Sequence, residues 1–157
     1  HGVGLLETGN ILELAAEIVT SPWADSFEGD AYHDPVGYAT IGYGHLLSRK
    51  PWVELDQFEP ITEVDGLALL IKDMDRALMS VLRLIEYPLE DQQYAALVDF
   101  AFNCGSGNLQ ASTLRRVINR GELGEAPRQF RRWVHARGVK LAGLVRRREA
   151  EVDMWLS

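Results

Sequence analysis

Hydrophobic positions along the chain change their period twice. From Asn10 to Val19, NILELAAEIV places apolar residues at helical spacing, with Asn10 as a candidate N-cap. Ser21-Pro22 interrupts that pattern. Residues 31–47 read differently: Pro35-Val36-Gly37 is a turn signal between YHD and the β-branched, aromatic run YATIGYG. A short hairpin or three-stranded ribbon is expected there. Helical spacing then returns in PITEVDGLALLIKDMDRALMSVLRLI, which opens with Thr62 three residues before Asp65, close to a capping box. PLEDQQYAALVDFAFN has the proline and early acids of a helix start. Ser112 or Thr113 can cap STLRRVINRG, which stops at Gly121. APRQFRRWVHARG predicts a further helix ending at Gly138, and AGLVRRREAEVDMWL a last one. The sum is an α+β fold, mostly helical.

The 157 residues suit one compact domain, and a hydrophobic content of 46% lets it bury a core unaided. One cysteine, Cys104, excludes an internal disulfide framework and a cysteine metal cluster; its apolar surroundings predict a small buried hydrophobe. The four histidines have no ligand spacing, so no metal is expected. No stretch approaches the roughly 18 apolar residues of a membrane span. The chain begins at His1 rather than Met, as expected of a mature form or an excised domain.

Charge is unevenly spread. Residues 1–114 hold 5 Lys/Arg against 18 Asp/Glu, and residues 115–157 hold 11 against 5. The basic third can meet an anionic partner or form solvated helix faces. Nucleic acid is not expected, because the whole chain is acidic and carries no recognised nucleic-acid motif.

The densest chemistry is FEGDAYHDPVGYATIGYGH, residues 27–45. Two carboxylates flanking a cleft can cleave a glycosidic bond: one, protonated in a drier place, gives its proton to the leaving oxygen. The other, ionised, stabilises the positive sugar or helps water attack. Glu28 and Asp34 are candidates. Thr40 lies six residues beyond Asp34, on the opposite arm of the ribbon, where a hydroxyl could hold the attacking water. His33, beside Asp34, is read as a surface residue.

YHDPVGYATIGYGH resembles the Y-x-D-x-x-G-x-x-T-I-G-Y-G-H motif of the phage-type lysozymes, glycoside hydrolase family 24. FNCGSGNLQASTLRRVIN resembles that family's F-N-x-G followed by S-T-L and N. QFRRWVHARGVKLAGLVRRREAE resembles its F-x-x-W, Gly and G-L-x-x-R-R-x-x-E landmarks. The resemblance runs from about Phe27 to Glu151. It implies one lysozyme-like domain over residues 1–157, with a small ribbon lobe at about 20–60. A helical lobe would span about 61–157, with residues 1–19 as an N-terminal helix, and a cleft would lie between the lobes. It implies a muramidase that hydrolyses the β-1,4 bond between N-acetylmuramic acid and N-acetylglucosamine, needs no cofactor, and has peptidoglycan glycan strands as partner. A monomer is expected, made in the bacterial host cytoplasm and acting in the periplasm or at the cell wall. The family roles fall on Glu28 as general acid, Asp34 as base or electrostatic stabiliser, and Thr40 as positioner of the water. Leu46, Phe102 and Thr113 match substrate-binding positions, and His45 a structural one, paired with Asp73 or Asp75.

One spacing departs from the family. There, the Glu precedes the Tyr by seven residues, whereas Glu28 precedes Tyr32 by four and Asp34 by six. Either three residues have been lost between Gly29 and Ala31, leaving Glu28 as the acid, or the spacing is intact and Asp25 stands in the acid's place. The second reading opens an alternative, a catalytically weakened lysozyme-like domain that binds peptidoglycan or a protein partner.

Overall fold

The computed structural model describes residues 8–24 and 26–157; Asp25, the second candidate acid, lies outside them. The chain forms two compact units, Val19–Asp73 and a helical unit containing Met74–Ser157 and the N-terminal helix to Ile18. Among the described residues, no helix is long and apolar enough to cross a membrane.

The first unit is built on a three-stranded antiparallel sheet in sequence order, β1 (Glu28–His33), β2 (Tyr38–Gly42) and β3 (His45–Pro51). Ala39 to Gly42 of the central strand are buried, so β2 reads as a continuous run rather than an alternation. The first half of α2 (Glu63–Leu84) completes the unit. Its start is the capping box expected from the sequence: Asp65 N donates to Thr62 Oγ1 at 3.2 Å, and Thr62 N to Asp65 Oδ2 at 3.5 Å. Gly66, inside that helix, is a packing residue. A Cβ there would fall 2.6 Å from Phe27 Cε1, and Phe27 packs in turn on Tyr43 at 5.6 Å between centroids.

The helical unit centres on α3 (Asp91–Cys104), where every residue from Tyr94 to Ala101 is buried. Around it stand α1 (Thr8–Val19), the second half of α2, α4 (Ser106–Ala111), α5 (Thr113–Asn119), α6 (Ala126–Phe130) and α7 (Ala142–Leu156). An aromatic chain fills its core: Phe100 meets Phe130 and Trp133 edge-on at 5.8 and 5.4 Å, and Phe130 meets Trp155 at 5.8 Å.

Two local expectations change. Asn10 is not a cap; α1 already includes Thr8, and Asn10 Nδ2 donates to Asp91 Oδ2 at 3.0 Å. The helix predicted to reach Gly138 stops at Phe130 and gives way to a hairpin, β4 (His135–Ala136) and β5 (Val139–Lys140). Arg137 and Gly138 both have positive φ, 53° and 78°. Two such residues form the left-handed two-residue turn whose twist matches a hairpin, so Gly138 turns a strand rather than ending a helix.

Between the two candidate caps of α5, the structure selects Ser112. Its Oγ accepts from Arg115 N at 3.0 Å and donates to Leu109 O at 2.7 Å. Ser112→Ala is expected to lower stability by about 1 kcal/mol, read from urea unfolding; Ser112→Asn, which retains an acceptor, is expected to lose less.

Candidate active site

Asp34 follows the last residue of β1 and is built into the β1–β2 turn. Its Oδ1 accepts three backbone N–H groups, from Val36 at 2.9 Å, Gly37 at 2.8 Å and Tyr38 at 2.9 Å. Asp34 N also donates to Tyr38 O at 3.0 Å. An aspartate that closes its own turn has its carboxylate fixed by the backbone. The DPVG sequence encodes this: Asp supplies the acceptor, Pro35 the fixed φ, and Gly37 the positive φ of 102°.

Thr40 is buried, at 6% exposure, in the central strand. Its Cα partners are Tyr32 on β1 and Leu46 on β3, so the three residues form one rung across the sheet and their side chains share a face. Thr40 Oγ1 donates to Tyr38 O at 2.9 Å, which spends the hydroxyl proton and leaves the oxygen to act as an acceptor. Leu46 is 41% exposed at the end of the rung.

Glu28 is the first residue of β1, opposite Gly42, and is exposed. The pairing of β1 with β2 changes register between Glu28 and Tyr32, the interval in which the Glu28 reading places the lost residues. The neighbouring backbone is tied down, because Ile61 N donates to Gly29 O at 2.9 Å. His45 takes the role expected of it: Nδ1 lies 2.7 Å from Asp73 Oδ2. His33 does not lie loose on the surface; it is half-buried, with Nε2 2.8 Å from Val53 O.

In the helical unit, Phe102 is half-buried on α3. Thr113 opens α5 and accepts from Arg116 Nη2 at 2.8 Å. Thr113 also lines a cavity of about 320 Å³ with Ala111, Ser112, Gln129, Arg132 and Trp133.

The most buried charges of the helical unit are absent from the list of candidates. Arg147 forks onto Asp99 at 2.9 and 2.7 Å, and Arg148 onto Glu151 at 2.7 and 2.9 Å. Arg148 also donates to Asn103 Oδ1 at 2.7 Å and Trp133 O at 3.2 Å. Cys104 Sγ lies 2.7 Å from Arg148 Nη1. Burial pushes the Cys104 thiol up to about 11, against the lowering effect of Arg148, so it stays protonated at neutral pH. It is a packing residue beside a structural cation.

A pinned aspartate, a buried threonine on the next strand and an apolar residue at the end of its rung suit a sugar-cleaving site. Comparisons agree with that class. The phage lysozyme family model matches residues 24–151. An SAR-endolysin of Bacteriophage PS119 is 34% identical, the alignment covering 95% of this chain and 89% of the relative. Among solved structures, the muramidase domain of SpmX from Asticaccaulis excentricus superposes with a TM-score of 0.76 at 30% identity, covering 94% of this chain and 95% of that one. An endolysin from Escherichia coli O157:H7 phage FAHEc1 gives the same TM-score at 27% identity, covering 94% and 91%.

The chain belongs to the phage lysozyme family. It is a glycoside hydrolase of the muramidase type, an endolysin-like peptidoglycan hydrolase.

Proposed function

We propose that this chain cleaves the β-1,4 bond between N-acetylmuramic acid and N-acetylglucosamine through two carboxylates and a water. The observation that carries the reading is the Asp34 turn, in which three backbone N–H groups orient one carboxylate two residues beyond the Tyr32–Thr40–Leu46 rung. Asp34 stabilises the developing oxocarbenium charge or takes a proton from the water. Thr40 Oγ1, its own proton given to Tyr38 O, accepts a hydrogen bond from that water. Leu46, Phe102 and Thr113 contact the glycan. Glu28 is the proton donor in this reading.

The exposure of Glu28 favours a second reading of the donor alone. A general acid works best where water is excluded, and Asp25, nine residues before Asp34, has the family's spacing. In both readings the enzyme is a monomer, made in the host cytoplasm, that reaches peptidoglycan at the wall.

The bond is tested by digesting purified sacculi and identifying the new chain ends. Reducing N-acetylmuramic acid is the expected end. Reducing N-acetylglucosamine, or 1,6-anhydro ends, would assign a different cleavage. A newly formed α-anomer would mark inversion.

A further inference from the structure

The strongest unexplained feature lies on the ribbon, at Trp52. This residue is 65% exposed, and its backbone is left-handed, with φ +59°. Left-handed backbone is uncommon and strained for a bulky residue; such strain persists where the surroundings enforce it and gathers at functional sites. Leaving an indole in water adds no folding stability. The local structure nonetheless holds it there from three directions.

Trp52 N donates to Gly37 O at 2.8 Å. The indole lies against Gly37 so closely that a Cβ there would sit 2.4 Å from Cε2 and 2.7 Å from Nε1; only glycine leaves room for the ring. His33 meets the indole edge-on at 5.0 Å between centroids, and its Nε2 is 2.8 Å from Val53 O. One part of the ring is therefore backed by a peptide, another is braced by an imidazole, and the rest is open. The same Gly37 donates its N–H to Asp34 Oδ1. One turn thus both pins the carboxylate and backs the indole of Trp52, which follows β3.

A fixed, half-open indole packed on the turn that pins the carboxylate suits a pyranose. The axial C–H groups of a β-linked hexosamine make an apolar, weakly positive face, complementary to the negative face of an aromatic ring. The rigid ring loses little conformational freedom on contact. The geometry points to Trp52 as a sugar-stacking residue that holds an N-acetylhexosamine ring of the glycan strand next to the ring attacked at Asp34. The inference rests on the glycan-cleaving reading and adds a contact that the sequence resemblance does not assign.

Two measurements test it. The first is direct and independent of cleavage: the indole N–H resonance of Trp52, assigned by its loss in Trp52→Phe, is followed while a hexamer of β-1,4-linked N-acetylglucosamine is added. A saturable shift of that resonance is expected; a resonance unmoved at saturating oligomer overturns the inference. The second is turnover on sacculi. Trp52→Ala is expected to raise KM about tenfold with kcat unchanged, and Trp52→Phe to recover most of the loss. A turn disrupted by the substitution would lower kcat, through Asp34, and shift the urea midpoint, so it is distinguishable from lost stacking. Unchanged KM in Trp52→Ala overturns the inference and leaves the cleavage reading intact. A resonance that shifts in a wild type yielding the wrong chain ends would preserve the stacking and reject the bond assignment. Loss of binding to a protein by Trp52→Ala, with glycan affinity kept, would make the indole a protein contact instead.

Discussion

Arg148→Met is expected to destabilise the helical unit by about 3–5 kcal/mol at pH 7, the usual cost of removing one partner of a buried pair. Arg148 and Glu151 are both fully buried, and the guanidinium satisfies Glu151, Asn103 Oδ1 and Trp133 O together. It also lies 5.4 Å from the centroid of the Phe100 ring. Methionine would fill much of the volume but leave these acceptors unpaired. The loss should depend on pH with a definite sign. Burial pushes Glu151 well above the usual carboxylate range, Asp99 adds to the rise and Arg148 opposes it. A carboxyl with a higher folded than unfolded pKa binds its proton more tightly when folded, so stability falls as pH rises from about 4.3 to the folded value. Without Arg148 the folded value climbs further and that window widens. The deficit of the variant should therefore be smaller near pH 4.5, where the unpaired Asn103 and Trp133 acceptors still count, and grow toward pH 7. Urea unfolding at the two pH values checks this. A loss below about 1 kcal/mol at pH 7, or one that shrinks as pH rises, would show that the pair is not load-carrying. Arg148→Lys, which keeps the charge without the fork, should recover part of the loss.

The sequence leaves the three arginines of VRRREAE free to pair with Glu149 and Glu151 or to face solvent, and helical spacing permits several pairings. The Arg148–Glu151 pair lies within α7, three residues apart, but its complete burial and the Arg147–Asp99 pair depend on the packing of α7 on α3. The misread C-terminal hairpin has a similar cause: WVHARG is tolerable in a helix, and a final glycine serves as a helix stop or as the second residue of a turn. Burial of Phe130 and Val134, with Leu141 N donating to Val134 O at 3.0 Å, chooses the turn. Elements whose instructions are local were legible, including the Thr62–Asp65 box and the turn after Asp34, and the α5 cap to within one residue, Ser112 or Thr113. Trp52 was not legible, because its significance depends on Gly37 and His33, which are 15 and 19 residues away in sequence.

The largest effect on activity should come from the proton donor. Glu28→Gln is expected to lower turnover on sacculi by about 10²–10⁴-fold, the usual contribution of a positioned general acid, while Asp25→Asn leaves it within a few-fold. Two observations support Glu28. The register change between Glu28 and Tyr32 lies where residues lost from the family spacing would have to be absorbed. Phe27, packed on Tyr43 and against Gly66, also fixes the chain on its other side. Exposure is the argument against it, but a sugar seated on β1 would itself displace water from that carboxylate. The Asp25 reading gives the reverse result, with Asp25→Asn inactive and Glu28→Gln active. It further predicts slow turnover in the wild type, because aspartate reaches one methylene less far than glutamate and about 1 Å of misplacement can cost on the order of 100-fold. In that case Asp25→Glu should be faster than the wild type, a gain that the Glu28 reading does not allow. Loss in neither variant would remove both carboxylates from the reaction. A wild type that binds sacculi without cutting them would identify a domain that keeps the fold and glycan contacts of a lysozyme after losing its acid.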